Sequence, residues 1–257
     1  MNLILIEPEE LGHDNTARLT GGRAAHLKEV LEVVPGDEIR IGLVDGLRGA
    51  AVVREMAHDV IVLTCRLTEP ALPCPSVDLL LALPRPKVLR RLFAQFAALG
   101  VNRIMLTNAA RVERHYFDAH VLTPDCYRPL LIEGLQQARD TRLPIVSVHR
   151  QFRVLVEDLL DEWTAPATRM VAQPGHAERM HALIQDAGPS RVLLAVGPEG
   201  GWNDFELSLL ESRGFTPISM GPRALRSDTA CVALLALAHD ALEARTKRLH
   251  GAALHAS

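Results

Sequence analysis

Residues 192–201 read Val-Leu-Leu-Ala-Val-Gly-Pro-Glu-Gly-Gly, an apolar run that passes directly into a glycine-rich turn. The run predicts a buried strand, and Asn203-Asp-Phe-Glu206 after the turn has the pattern of a helix-capping pair. A strand followed by a turn and a helix is the repeating unit of α/β proteins. Ligands of open α/β sheets bind at the carboxyl ends of strands, where glycine lets the main chain approach them, so this turn is a candidate ligand site.

A second strand-to-turn passage follows farther along the chain. Thr216–Met220 predicts a short strand, Gly221-Pro222 a turn, and a long apolar helix begins near Ser227. Two such turns in one half of the chain predict a shared pocket, although the first turn has neither the GxGxxG nor the P-loop pattern. Arg223 and Arg226 in the second turn could bind phosphate or stabilise developing negative charge. Alternatively, one arginine forms a surface ion pair and Ser227 only caps the helix.

The elements around the two turns predict two domains. From residue 77 onward, strands and helices alternate, which indicates an α/β domain with a largely parallel sheet. The predicted elements are Val77–Leu83, Val88–Leu99, Arg103–Leu106, Pro124–Arg139, Ile145–Val148, Phe152–Trp163, Arg169–Val171, Ala177–Ala187, Val192–Val196, Asp204–Arg213, Thr216–Met220 and Ser227–Lys247. Before them, short strands predict a small β-barrel, interrupted by one helix at Ala24–Leu31. These strands are Leu3–Ile6, Glu38–Leu43, Gly49–Glu55 and Val60–Arg66. Three prolines in Glu69–Pro75 predict a linker, so the domains are 1–72 and 73–250.

Charge and cysteine content limit the classes of function. The net charge of −3 argues against a nucleic-acid partner, but residues 1–73 carry seven Lys and Arg against twelve Asp and Glu, and the remainder is net positive. Four dispersed cysteines, Cys65, Cys74, Cys126 and Cys231, lack metal-ligand spacing, so we expect free thiols and no metal. The sequence shows no signal peptide and no apolar run of about 18 residues, which predicts a cytoplasmic protein without membrane contact.

The two turns together resemble the signature of the bacterial small-subunit rRNA uridine N3-methyltransferases, a family of the SPOUT class. The matching segments are Gly197-Pro-Glu-Gly-Gly201 and Gly221-Pro-Arg-Ala-Leu-Arg-Ser-Asp-Thr-Ala230, and the likeness extends to His26–Leu31, Pro35–Asp37, Glu133–Gln137 and Arg142–Pro144. The resemblance implies a PUA-like β-barrel followed by an α/β domain with a trefoil knot. It also implies S-adenosyl-L-methionine (SAM) as cofactor, 16S rRNA within the small ribosomal subunit as substrate, and a homodimer.

The resemblance assigns roles to individual residues. The implied cofactor-binding residues are Leu194, Val196, Gly197, Pro198, Glu199, Gly200, Gly201, Met220, Gly221, Arg223 and Leu225. The expected RNA-contacting residues are Arg18, Arg23, Lys28, Arg85, Lys87, Arg90, Arg111, Gln137 and Arg226. Methylation at N3 of uridine leaves negative charge on the uracil, which we expect Arg226 to stabilise with help from Arg223. The candidates for a general base are Glu199, Asp228 and His115.

The chain departs from the family pattern at a conservative position, Ser227–Thr229, and in the segment Gln137–Asp140, which leaves another target base open. Ser227-Asp-Thr229 stands where members commonly have Thr-Glu-Thr, and Asp140 stands where they often have arginine. One alternative is a methyltransferase of the same class that acts on another RNA base. The other alternative is a catalytically silent RNA-binding factor of ribosome assembly, which predicts that SAM does not bind.

Overall fold

The computed structural model describes residues 3–164, 166–175, 178–186 and 190–255. These residues group into two compact units. The first lies within Met1–Cys74 and Ile132–Leu143, and the second within Pro75–Leu131 and Pro144–Ser257. The segment 132–143 therefore belongs with the first unit, although the sequence pattern placed it in the α/β domain.

The first unit contains a five-stranded sheet with the order β1-β3-β4-β5-β2. Its strands are β1 (Ile4–Ile6), β2 (Thr16–Thr20), β3 (Glu38–Leu43), β4 (Arg48–Met56) and β5 (Val60–Glu69). Only the β1–β3 pair is parallel, and the other pairs are antiparallel. The sequence analysis missed β2, in which buried Ala17 and Leu19 alternate with more exposed polar residues. This alternation is typical of a strand with one face on the core, but the small Ala17 made it weak.

The second unit contains a six-stranded, fully parallel sheet with the order β11-β9-β10-β6-β7-β8, which confirms the predicted parallel α/β arrangement. Its strands are β6 (Val77–Ala82), β7 (Val101–Thr107), β8 (Ile145–His149), β9 (Thr168–Ala172), β10 (Val192–Val196) and β11 (Thr216–Ile218). Every residue of the central strands β6 and β10 is buried. Strands covered on both faces are expected to be continuously apolar, as these two nearly are.

Eight α-helical segments accompany the sheets in the described part of the chain. They are α1 (Gly21–Ala25), α2 (Pro86–Ala98), α3 (Pro124–Ala138), α4 (Phe152–Val154), α5 (Leu160–Trp163), α6 (Met180–Asp186), α7 (Asp204–Ser212) and α8 (Ser227–His255). Single π-helical turns, His26–Val30 and Leu155–Leu159, continue α1 and join α4 to α5, and short 3-10 turns lie at Pro8–Glu10, Arg114–Asp118 and His120–Leu122. The helix predicted for 177–187 is α6, and residues 177 and 187 lie outside the described residues.

The cysteines are free thiols, and two of them lie in the packed interior. Cys65 and Cys231 are buried, and none of the four described cysteines forms a disulfide. Burial raises the pKa of Cys231 to about 12, so its thiol remains protonated near neutral pH. No helix in the described part of the chain combines the length and apolar character that crossing a bilayer requires.

His239 makes the stability of the second unit depend on pH. This half-buried side chain of α8 packs against Leu99 and Gly100, where α2 ends. Burial lowers the pKa of His239, because the charged imidazolium would lose its hydration there. Below pH of about 6.5, the ordinary pKa of histidine, the unfolded chain therefore binds more protons than the folded protein. Stability is lost as the pH falls from there to the lower, folded-state pKa.

We expect His239→Gln to remove this contribution, because glutamine does not titrate. Urea denaturation at about pH 7.5 and about pH 5.5 spans the range in which histidine changes charge. The free energy of unfolding of the wild type should decrease more between these values than that of the variant. An equal decrease in the two proteins would show that His239 does not couple protonation to folding.

Candidate functional site

The carboxyl ends of three neighbouring strands form a cavity. The loops that follow β9, β10 and β11 line it together with the start of α8, and its volume is about 350 Å³. This volume lies within the range of about 300–1,000 Å³ that is usual for small-molecule sites. The position agrees with the general rule for ligands of open parallel sheets.

Most of the predicted cofactor-binding residues lie in this cavity. Those that line it are Val196, Gly197, Pro198, Glu199, Gly200, Gly201, Met220, Gly221, Arg223 and Leu225. Leu194 does not line it, because this residue is fully buried in the middle of β10. The two glycine-rich turns are thus brought together, as the sequence analysis expected of a shared pocket.

One wall of the cavity was not predicted from the sequence, and it is the segment Ala172-Gln173-Pro174 at the end of β9. Strand β9 pairs with both β10 and β11, so its carboxyl end lies between the two glycine turns. The Gln173 N–H donates to the Ile218 carbonyl, with an N–O distance of 2.9 Å. The strand Arg169–Val171 was predicted, but local sequence does not reveal which strands are neighbours in a parallel sheet.

The first turn is shaped by glycines and by a buried tryptophan. Gly201 has φ 74°, in the left-handed region that favours glycine, and its N–H donates to the Pro198 carbonyl at 2.8 Å. A Cβ on Gly197 would lie only 3.1 Å from Trp202 Nε1, so the indole packs directly on the turn. Trp202 is buried and lines the cavity, and its Nε1 has no hydrogen-bond partner among the described residues. An unpaired buried donor is costly, so the close packing of the indole on the turn is retained at the expense of this hydrogen bond.

The second turn is joined to the first by the start of α8. Gly221 has φ 127°, a conformation that L-residues rarely adopt, and its N–H donates to Ser219 Oγ at 3.1 Å. The hydroxyl of Ser227 donates to the carbonyl of Gly197 at 3.5 Å. Ser227 therefore does more than precede the helix, because its side chain connects the two turns.

Arg226 lies beside the cavity rather than in its lining, and its side chain is 69% exposed. Its Nε lies 3.6 Å from Asp228 Oδ1, and the other carboxylate oxygen of Asp228 lies 3.3 Å from Arg91 Nη2. Arg223 is exposed and lines the cavity. The structure thus places one arginine at the cavity and holds the other next to it by a carboxylate.

The three candidate bases are in different surroundings. Glu199 lines the cavity, and its Oε2 lies 3.4 Å from Arg85 Nη2. Asp228 is paired with two arginines, as described above. His115 packs edge-on against Tyr116 and does not line the cavity. The negative charges of Glu199 and Asp228 are therefore already balanced by neighbouring guanidinium groups.

The predicted RNA-contacting residues are dispersed. In the first unit Arg18 and Gln137 are exposed, Arg23 is ion-paired with Glu10, and Lys28 donates to backbone carbonyls at Ala57 and His58. In the second unit Arg85, Lys87 and Arg90 are exposed at the start of α2. The guanidinium of Arg111 donates to backbone carbonyls of the first glycine turn. Several of these cations therefore also have roles within the protein.

Asp140 has a structural role in the first unit. Its buried carboxylate accepts the N–H groups of Thr141 at 2.6 Å and Arg142 at 3.1 Å. Its own N–H donates to the Leu135 carbonyl at 3.0 Å, and the preceding Arg139 has φ 59°, which is the Schellman arrangement at the end of α3. Asp140, which stands where family members often have arginine, thus helps to end α3 and orders the backbone at Thr141 and Arg142.

The chain is similar to known proteins over most of its length. The family model of the RNA methyltransferase domain matches residues 70–239, a range that includes both glycine turns. The ribosomal RNA small subunit methyltransferase E of Treponema pallidum is 28% identical over 254 residues, which cover 93% of this chain and 92% of that protein. The protein of the same name from Synechocystis is 30% identical over 247 residues, covering 93% of this chain and 78% of that protein.

A solved structure shows the same fold. The crystal structure of a ribosomal RNA small subunit methyltransferase E from Neisseria gonorrhoeae, bound to S-adenosyl methionine, matches with a TM-score of 0.73. The two chains are 21% identical, and the match covers 92% of this chain and 95% of that one. The mixed α/β architecture, with one largely antiparallel and one parallel sheet, is therefore shared over nearly the whole length.

Proposed function

The chain belongs to the RNA methyltransferase family, together with the ribosomal RNA small subunit methyltransferases E, and from this premise we propose that it methylates N3 of a uridine in 16S rRNA with SAM as methyl donor. The observation that carries the proposal is the cavity that the two glycine turns form at the carboxyl edge of the parallel sheet. Such an rRNA-modifying enzyme acts in the cytoplasm.

The lining of the cavity fits SAM. Val196, Ile218 and Leu234 offer apolar surface for the adenine, and the glycine turns offer main-chain N–H and C=O groups for the polar parts. When bound, SAM supplies an electrophilic methyl group. The protein's contribution is to hold that group and the uracil in line.

The two arginines act on the uracil. As N3 loses its proton, negative charge spreads to O2 and O4, and the guanidinium groups of Arg226 and Arg223 donate hydrogen bonds to these oxygens. Stabilisation of the anion lowers the pKa of N3. The proton can then leave to water without a dedicated carboxylate base, which agrees with the pairing of both Glu199 and Asp228 with arginines.

The remaining parts of the chain bind RNA and a second copy. Residues 1–72 form a PUA-like RNA-binding barrel, supported by the five-stranded sheet and the exposed Arg18. Residues 73–250, apart from the segment 132–143 that groups with the first unit, form a SPOUT domain with a trefoil knot, supported by the family match over residues 70–239 and by the cavity at which the two turns meet. The homodimer places α2 and α8 at its interface, supported by the groove that Leu92, Val232 and neighbouring residues form between these helices.

Methylation of small ribosomal subunits tests the proposal. We expect the purified protein, given labelled SAM and subunits from a strain that lacks its gene, to form one N3-methyluridine in 16S rRNA, detected by mass spectrometry of nucleosides. Subunits from the parent strain are the control and should accept no label. Methylation of a different base would support the alternative substrate, and absence of SAM binding in calorimetry would support the silent assembly factor.

A further inference from the structure

Arg111 reaches from the loop after β7 to the first glycine turn. Its Nη1 donates to the carbonyl oxygen of Gly200 and, at 3.4 Å, to that of Gly201. The side chain also lines the cavity. A guanidinium bound to two carbonyls of one turn fixes the orientation of that turn's peptide groups, because charge-assisted hydrogen bonds are strong and directional.

Gly200 leaves the space that the Arg111 side chain occupies. A Cβ built on Gly200 would lie 2.7 Å from Arg111 Cδ, a separation that requires something to move. The backbone of Gly200 does not have the positive φ of Gly201, so an L-residue would not be strained there. The conformation of Gly200 therefore does not require glycine, and the space that a Cβ would take is filled by the Arg111 side chain.

Glu206 holds the same two loops together from another side. Its carboxylate is buried and accepts the Ala110 N–H at 2.6 Å on one oxygen and the Asn203 N–H at 2.9 Å on the other. The Glu206 N–H in turn donates to Asn203 Oδ1 at 2.8 Å, which completes the capping box of α7. Two consecutive residues of the loop after β7, Ala110 and Arg111, are thus bonded to the segment that carries the first glycine turn.

We infer that Arg111 is a positioning residue for the cofactor, which acts by holding the first glycine turn in its binding shape through Gly200 and Gly201. The inference rests on the proposed function and deepens it. It also differs from the role in RNA contact that the sequence suggested, since the guanidinium is directed to the protein's own carbonyls. Loss of the side chain should then weaken SAM binding in the absence of any RNA.

Calorimetry with SAM and the RNA-free protein tests this. We expect Arg111→Ala to raise the Kd for SAM about tenfold or more, as for loss of a charge-assisted hydrogen bond, and the neighbouring exposed Arg114→Ala to leave it unchanged. If Arg111 serves only RNA phosphates, its variant will instead keep the wild-type Kd for SAM and show a smaller salt dependence of RNA binding. Failure of the wild type to bind SAM would overturn the proposed function itself.

A second substitution separates positioning from general loss of structure. Gly200→Ala should weaken SAM binding in the wild-type background, because the new Cβ displaces Arg111. In the Arg111→Ala background the same substitution should cost little more, since the obstructing side chain is absent. If Gly200→Ala is equally harmful in both backgrounds, the glycine serves the ligand directly and the inference is wrong. Circular dichroism of each variant checks that the fold is retained.

Discussion

Replacement of Arg226 by alanine is expected to lower the rate of methyl transfer about 100- to 1,000-fold, the usual cost of removing one donor to a developing anion. SAM affinity should stay near the wild-type value, because Arg226 does not line the cavity. The effect should fall on kcat, since the guanidinium is needed most when the uracil carries negative charge. Single-turnover methylation of small ribosomal subunits at saturating SAM measures it.

Two further variants test whether the loss of rate comes from the guanidinium group of Arg226 itself. Arg226→Lys keeps the charge but loses the planar fork that Asp228 orients, so its rate should lie between those of the wild type and Arg226→Ala. Arg153→Ala removes an equally exposed arginine that is paired with Glu157 and does not line the cavity, and it should retain full activity. A wild-type rate for Arg226→Ala would contradict the role of this residue in catalysis.

Local sequence was sufficient for the elements whose pattern is strong. Strand β10 has the predicted bounds, Val192–Val196, because five apolar residues end abruptly at a glycine. The order of the strands was not predictable, since β10 also pairs with β6, where Val192 lies opposite Val77, a residue far earlier in the sequence. For the same reason the sequence placed the end of α3 in the wrong unit. The backbone bond from Leu3 N–H to the Gln136 carbonyl, at 3.1 Å, has no local signature.

The candidate site was predictable from the sequence where its residues line the cavity with main-chain atoms. Glycines at strand ends are visible in sequence, and both turns were identified from them. The positions of side chains were less predictable, because they depend on what lies across the fold. Arg111 looked like one more cation for RNA, and Glu206 like a simple capping residue, yet both bond to groups that are far from them in sequence.

The buried pair of Asp78 and Arg191 should carry the largest effect on stability. Asp78 is 1% exposed within β6, and both its oxygens accept from Arg191 Nη2, at 3.1 and 3.2 Å. Asn102 donates to the same carboxylate at 2.7 Å. Asp78→Ala leaves the guanidinium of Arg191, whose side chain is 21% exposed, and the amide of Asn102 without the acceptor that they share, so we expect it to lower the free energy of unfolding by about 2–3 kcal/mol. Urea denaturation measures this value.

Asp78 lies near the amino end of its strand, whereas the cavity lies at the carboxyl ends, so the loss of stability should be separable from function. At urea concentrations too low to unfold it, the Asp78→Ala variant should bind SAM with nearly the wild-type Kd. Glu157→Ala, which breaks the exposed pair with Arg153, should destabilise the protein far less, because water replaces the lost partner there. A similar loss for both variants would mean that Arg191 is solvated after all, and that β6 does not depend on its buried carboxylate.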